Sequence, residues 1–148
     1  MLIDHLLLHC PVASDVWSFI FALTGIIWVM PKFVLELLVC WHGRFQRHRA
    51  ARVWMAIPLC LMWSLWIERN KWTFDGIERP VSVLKEHILR TLFAWSSACG
   101  VISPMSFLEF LDSLSLWAFC FHCNFYSFSL KWNLLLIKKI KKTYKLHK

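Results

Sequence analysis

Turn-forming residues are scarce in this chain, and that scarcity limits the folds open to it. Only four glycines and five prolines occur among 148 residues, whereas a sandwich or barrel of short strands needs a turn about every 8 to 12 residues. Long helices with short connections need far fewer turns. Because 58% of the residues are hydrophobic, the chain is also too apolar to be disordered. We therefore predict at most one domain, an all-α irregular bundle of about four or five helices.

The spacing of apolar residues places the helices along the chain. Apolar residues recur at steps of three and four, which predicts helices over about 11–24, 31–42, 50–70, 81–95 and 104–113. Gly25 and Gly43 are positioned to end the first two helices, and Pro58 should bend the third. Glu86 and Arg90, on the polar face of the fourth, are expected to form an i,i+4 ion pair. The third helix is apolar nearly all round, which is typical of a central or a lipid-facing helix.

The start of the sequence and the cysteines bear on the cellular compartment. Residues 1–10 lack the basic segment of a secretory signal. Six cysteines without secretory context favour reduced, mostly buried thiols over a disulfide framework, so we expect an intracellular protein. The alternative is a small membrane-associated protein with residues 16–30 and 53–67 in lipid and a basic cytoplasmic tail. Each of these uncharged runs is 15 residues long, whereas a spanning helix needs about 20.

A cluster of arginines, here called the basic cluster, lies between the second and third predicted helices. It comprises Arg44, Arg47, Arg49 and Arg52, accompanied by two histidines and by no acidic residue. Such a cluster can bind the phosphate backbone of RNA or DNA without reading the base sequence. It can equally be a solvated connection between two helices. The sequence leaves both interpretations open.

Two motifs carry a resemblance to a known family. His5 and Cys10 stand at H-x4-C spacing near the start of the sequence, and a longer string, W-x-x-W-x-x-R-N-x-x-x-F, runs from Trp63 to Phe74. A W-H-G tripeptide lies between them at residues 41–43. These motifs resemble the zinc-binding region found at the C-terminal end of plant LINE-type (non-LTR) retrotransposon reverse transcriptases. The resemblance covers roughly residues 2–112.

The resemblance implies a zinc site of which this sequence holds only part. In the family, a C-x-x-C pair precedes the H-x4-C motif, and together they look like a four-ligand zinc site. His5 and Cys10 match the second half, and the sequence begins after the point where the first half would lie. Because structural zinc takes four ligands, we expect a truncated half-site that does not hold zinc by itself. His9 and a Cys-Phe-His-Cys segment at 120–123 are further donors, but nothing in the sequence brings that segment to His5.

Most of the net positive charge lies outside the region of resemblance. The chain has a net charge of +8, and seven lysines lie at or after Lys131. From Trp117 to the end there is no Gly, Pro, Asp or Glu, and 17 of the 32 residues are Phe, Ile, Asn, Lys or Tyr, whose codons are rich in A and T. We therefore divide the chain into a partial zinc-binding-type region, residues 1–112, and an unrelated apolar, then lysine-rich extension, residues 113–148. The basic tail is expected to be poorly ordered or helical.

Catalysis is not expected of this chain. Polymerase chemistry needs paired carboxylates that hold two metal ions, and the aspartates at 4, 15, 75 and 112 are scattered singly. The sequence also lacks a phosphate-binding glycine loop and a serine nucleophile motif. We expect the tryptophans to pack in the core rather than to stack on bases. The sequence thus predicts a non-catalytic relic of a reverse transcriptase tail, with at most weak, sequence-independent nucleic-acid binding and no small-molecule substrate.

Overall fold

The fold is built from helices alone, as far as the structure describes it. The computed structural model of the protein describes residues 3–45, 50–103 and 105–117, and this part of the chain contains no strand. It contains five α-helices, α1 (Pro11–Thr24), α2 (Val34–Phe45), α3 (Ala51–Asn70), α4 (Val81–Ala98) and α5 (Phe107–Trp117). It also contains two five-residue π-helical turns, the first π-turn (His5–His9) and the second π-turn (Lys71–Asp75). The prediction of an all-α fold of several helices is confirmed.

α1 begins and ends where its sequence signals predict. Pro11 occupies the first helical position, where its missing N–H costs nothing. The preceding Cys10 caps the helix, because its Sγ accepts a hydrogen bond from the Ala13 N–H at 3.4 Å. Gly25 ends the helix in the left-handed conformation, with φ at 69°, which a residue with a Cβ adopts only at a cost.

α2 differs from its predicted bounds at both ends. It begins at Val34 rather than at Pro31, because the cap comes from the chain start: Asp4 Oδ1 accepts the Val34 N–H at 2.8 Å. It then continues through Gly43 to Phe45, whose ring is buried in the core. Local signals predicted neither end, since a contact across 30 residues decides the start and burial favours the extra turn at the other end.

α3 is the central helix of the bundle. It packs against α1, α2, α4 and the first π-turn, and Ile57 and Leu61 are fully buried. Pro58 lies inside the helix as predicted, and because proline has no N–H, the carbonyl of Trp54 loses its usual helical donor. The indole Nε1–H of Trp41 replaces that donor at 2.7 Å. A tryptophan on α2 thus makes a proline tolerable in the middle of α3.

Aromatic rings fill the space between α1, α2 and α3. Trp41 lies at the centre of this cluster, with its ring centroid between 4.7 and 6.3 Å from those of Trp17, Trp28, Phe45 and Trp54. Trp17, Trp41 and Trp54 are fully buried, as expected of core tryptophans.

Within the described residues, no helix combines the length and the apolar character that crossing a membrane requires.

α4 follows its predicted pattern closely. Leu84, Ile88 and Leu92 form its buried face. On the exposed face, Arg90 pairs with Glu86 at 2.9 Å, so the predicted i,i+4 ion pair is confirmed.

α5 begins later and ends later than predicted. Ser106 Oγ accepts the Glu109 N–H at 3.2 Å, and Glu109 Oε2 accepts the Ser106 N–H at 2.6 Å. This reciprocal capping box fixes the start at Phe107 rather than near residue 104, and the same bonds to Ser106 lower the pKa of Glu109. The helix continues to Trp117, with Leu114 buried. It therefore runs across the boundary predicted between residues 112 and 113, and the division into two regions stays a prediction.

Candidate metal half-site and basic cluster

The first π-turn contains the H-x4-C motif. In a π-helical turn the N–H of residue i+5 bonds to the carbonyl of residue i, and here the Cys10 N–H donates to the His5 carbonyl at 2.8 Å. Leu6, Leu7 and Leu8 lie between them and are buried. Four residues separate His5 from Cys10, which is the separation that one π-turn spans. The two predicted ligand positions are therefore one turn apart.

Three contacts from other elements hold the first π-turn in place. Trp17 Nε1–H donates to the Leu7 carbonyl at 2.9 Å in the buried interior. His9 Nε2 donates to the Lys32 carbonyl at 3.1 Å, so that nitrogen is not free to bind a metal ion. Asp4, just before the turn, caps α2. The turn is thus a fixed part of the core.

The side chains present do not complete a metal site by themselves. His5 is exposed and Cys10 is half-buried, and the Cys10 thiol donates to the Leu6 carbonyl at 3.4 Å. Across residues 3–45, 50–103 and 105–117, no three side chains of His, Cys, Asp or Glu lie together as metal ligands. Two donors make half of a tetrahedral zinc site. The Cys-Phe-His-Cys segment at 120–123 lies outside the described residues, and zinc binding at His5 and Cys10 stays a prediction.

The cysteines are less buried than the sequence predicts. Cys10, Cys40, Cys60 and Cys99 are all free thiols. Of these, Cys60 is fully buried on α3, and burial raises the pKa of its thiol to about 12. Cys40 and Cys99 are exposed, so the prediction of buried thiols is wrong for them. Because Cys60 stays protonated at neutral pH, it is a packing residue rather than a metal ligand.

The basic cluster lies at the corner where α2 leads into α3. Arg44 is in the last turn of α2 and Arg52 in the first turn of α3, and both side chains are exposed. Arg47 and Arg49 lie outside the described residues. The Arg44 guanidinium is 5.9 Å from the Trp28 ring centroid. No acidic residue occurs between positions 36 and 68 of the sequence, so the corner is a basic stretch uninterrupted by acids.

The second π-turn presents side chains that the sequence did not single out. α3 ends at Asn70, as expected, but the chain continues directly into the π-turn, which Gly76, with φ at 65°, ends. Trp72 is exposed in the turn, and Ile77 is exposed just after it. The Arg69 guanidinium lies 4.1 Å from the Trp72 ring centroid. The glycine five residues after Lys71 is the signal in the sequence that marks this later stop.

The Trp-rich motif follows the end of α3 into this turn. Trp63 and Trp66 are half-buried and stack on each other, with ring centroids 5.1 Å apart. Phe74, the last residue of the motif, is exposed. The motif therefore joins packed rings on α3 to exposed rings on the second π-turn.

Comparison with known proteins found no relative. No protein-family model, no curated protein and no solved structure matches the chain. The H-x4-C motif lies at the first π-turn, and the W-x-x-W-x-x-R-N-x-x-x-F string runs along the end of α3 into the second π-turn. The resemblance itself rests on those residues alone.

Proposed function

We propose that this chain is a non-catalytic protein related to the zinc-binding tail of plant LINE-type reverse transcriptases, and that it makes weak, sequence-independent contacts with RNA or DNA phosphates through the basic cluster. The observation that supports this proposal is the joint exposure of Arg44 and Arg52 at the corner between α2 and α3. The absence of acidic residues from positions 37 to 67 leaves that stretch a net positive charge. The negatively charged phosphates of RNA or DNA can bind these positively charged arginines.

The position of the cluster favours backbone contact over base recognition. Base edges are read by elements that enter a groove, whereas arginines at a helix junction reach the phosphates that line the surface of the duplex. The half-exposed Trp28 ring beneath Arg44 supports the guanidinium at the surface. Two to four such contacts give an affinity that falls steeply with salt.

A binding titration tests this proposal with the full-length chain. Fluorescence anisotropy of a labelled single-stranded RNA and of a labelled DNA duplex is measured from low to physiological salt. We expect binding that weakens with salt. In the double variant Arg44→Ala and Arg52→Ala, the slope of log affinity against log salt should fall by about two, roughly one for each lost contact.

Two further variants separate the basic cluster from other positive charges. Lys71→Ala with Arg90→Ala removes two charges elsewhere on the surface and should leave binding nearly unchanged. A variant with the lysines from Lys131 onward changed to glutamine tests the tail. The proposal is overturned if the wild type fails to bind at low salt, or if binding survives loss of the basic cluster and disappears with the tail lysines.

A further inference from the structure

α2 turns an apolar surface away from the core. Leu35 and Val39, one helical turn apart, are 65% and 64% exposed. In the segment that leads into α2, Ile27 and Val29 are 90% and 89% exposed. Exposed aliphatic side chains grouped on one element mark a contact surface more often than isolated ones do. We define the outer face of α2 as the exposed residues of this helix from Leu35 to Arg44.

The charges on this outer face have a simple arrangement. Glu36 lies in the first turn of α2 and Arg44 in the last turn, and both are exposed. Cys40 is exposed midway between them, four residues from each. Gly43, which has no side chain, lies on the same side, and a Cβ added there would touch nothing within 4 Å. The face therefore carries two exposed aliphatic side chains in its first half, a negative charge near its start and a positive charge near its end.

A face of this kind is complementary to itself when two copies lie antiparallel. A two-fold axis through the middle of α2 places Glu36 of one copy opposite Arg44 of the other, and the reverse pair on the other side of the axis. A parallel arrangement would place like charges together. We propose that the outer face of α2 is a homodimer interface, in which two antiparallel α2 helices pair Glu36 with Arg44 and cover Leu35 and Val39.

The same charges argue against a lipid surface as the occupant. Glu36 lies among the apolar residues, where anionic headgroups would repel it and where burial in lipid would leave it unpaired. A second copy supplies the opposite charge at that position. Close approach of the two helices is helped by Gly43.

The expected dimer is weak. α2 has 12 residues, which corresponds to a contact about 18 Å long, and so short a contact buries an area at the lower end for specific interfaces. We therefore expect a dissociation constant in the micromolar range.

The dimer interface is a property of the chain beyond the proposed function. Arg44 belongs to both surfaces, so the deciding variants are Glu36→Arg and Val39→Asp, which leave the basic cluster intact.

Sedimentation velocity tests the proposal on the full chain between about 5 and 500 µM protein. The wild type should pass from monomer to dimer in this range. Val39→Asp and Glu36→Arg should each raise the dissociation constant by about tenfold or more, while Leu108→Asp, an equally exposed position on α5, should not. The charge-swapped double variant Glu36→Arg with Arg44→Glu should restore the dimer, because the pairs are re-formed with opposite sign.

Oxidation gives an independent readout of the antiparallel arrangement. Cys40 lies at the midpoint of the face, so the two copies of its thiol should lie near the axis and form a disulfide under mild oxidant. In a background with Cys120 and Cys123 changed to serine, Cys40→Ser should abolish the crosslinked dimer on a non-reducing gel. Cys99→Ser, at another exposed thiol, should not.

Three results would overturn the proposal. The first is a monomer at 500 µM with circular dichroism showing a folded chain. The second is a dimer unaffected by Val39→Asp, which would place the interface elsewhere. The third is sedimentation with anionic or zwitterionic lipid vesicles that Val39→Asp abolishes, which would assign the outer face of α2 to a membrane surface.

Discussion

The two π-turns have the same length and are held in opposite ways. The first π-turn buries three consecutive leucines at its centre. The second π-turn buries none of its five residues. Since the local backbone is of one type, the difference comes from the side chains of each turn and from what they contact. A π-turn is a departure from regular helix that needs outside support. In this molecule the core supports one turn, and a largely buried ion pair supports the other.

Indole N–H groups stabilise the irregular backbone inside the core. Trp17 donates to the carbonyl of Leu7 in the first π-turn, at 2.9 Å. Trp41 donates to the carbonyl of Trp54, which Pro58 leaves without its helical donor, at 2.7 Å. Leaving a buried carbonyl without a partner costs about 1–3 kcal/mol. The core tryptophans thus serve as hydrogen-bond donors as well as packing groups.

An ion pair holds the second π-turn across its two ends. Glu68, in the last turn of α3, accepts the Arg79 Nε–H at 2.8 Å and the Arg79 backbone N–H at 3.2 Å. Glu68 is buried and Arg79 half-buried. None of the five residues of the turn between them is buried, and Trp72 and Phe74 are exposed. One π-turn is therefore part of the stability of the fold, and the other presents side chains to solvent.

The largest expected effect contrasts one tryptophan from each region. Trp17→Ala removes a fully buried ring and the donor to Leu7, and it should lower the free energy of unfolding by about 3–5 kcal/mol. Trp72→Ala removes an exposed ring and should cost about 0.5–1 kcal/mol, the scale of its contact with Arg69. Urea unfolding followed by circular dichroism measures both. Trp17→Phe, which keeps most of the packing, serves if Trp17→Ala does not fold, and equal costs for Trp17 and Trp72 variants would abolish the distinction.

The next prediction concerns the donor that compensates for a proline. Trp41→Phe should lower the free energy of unfolding by about 1–3 kcal/mol, because the Trp54 carbonyl loses its partner. Pro58→Ala restores a backbone N–H for that carbonyl, so the same Trp41→Phe change should cost clearly less in the Pro58→Ala background. A double-mutant cycle by urea unfolding measures this coupling. An unchanged cost in the two backgrounds would show that the ring, and not its N–H, is what matters.

A smaller effect is expected for the ion pair of the second π-turn. Glu68→Gln and Arg79→Gln should each destabilise the protein by about 1–2 kcal/mol, between the values typical of exposed and buried pairs. The double variant should cost less than the sum of the two single changes. Glu86→Gln with Arg90→Gln, at the exposed pair on α4, is the matched control and should show little coupling. Additive losses at Glu68 and Arg79 would show that the pairing of these two side chains does not hold the turn.

The smallest effect separates a helix cap from a metal ligand at Cys10. Cys10→Ser keeps an acceptor for the Ala13 N–H and should leave stability unchanged or slightly higher, since serine is a preferred N-cap. Cys10→Ala loses the acceptor and should cost about 0.5–1 kcal/mol. Thermal unfolding with and without added zinc measures both variants. A large loss in Cys10→Ser that appears only with zinc present would instead identify Cys10 as a ligand.

Local signals predicted the helices whose ends are made by neighbouring residues. α1 has its proline, its cap and its terminal Gly25 within the predicted segment, and α4 repeats its apolar pattern without a break. α2 was predicted three residues too early because its cap, Asp4, comes from the start of the chain. The candidate sites show the same limit: the sequence named His5 and Cys10 by their spacing, and it missed the exposed Trp72 because exposure depends on what packs nearby.

By itself, the sequence determined that this protein is helical, where most of the helices lie and which face of α4 is buried, since turn residues and apolar spacing act over a few residues. Only the tertiary structure decided how the irregular positions are stabilised. Nothing in the local sequence around Pro58 indicates that Trp41 will supply the missing donor, and nothing around Lys71 indicates that Glu68 and Arg79 will close the turn. The physical reason is that a backbone carbonyl or a buried charge is satisfied by whichever group the fold brings within about 3 Å, and that group is chosen by packing rather than by sequence distance.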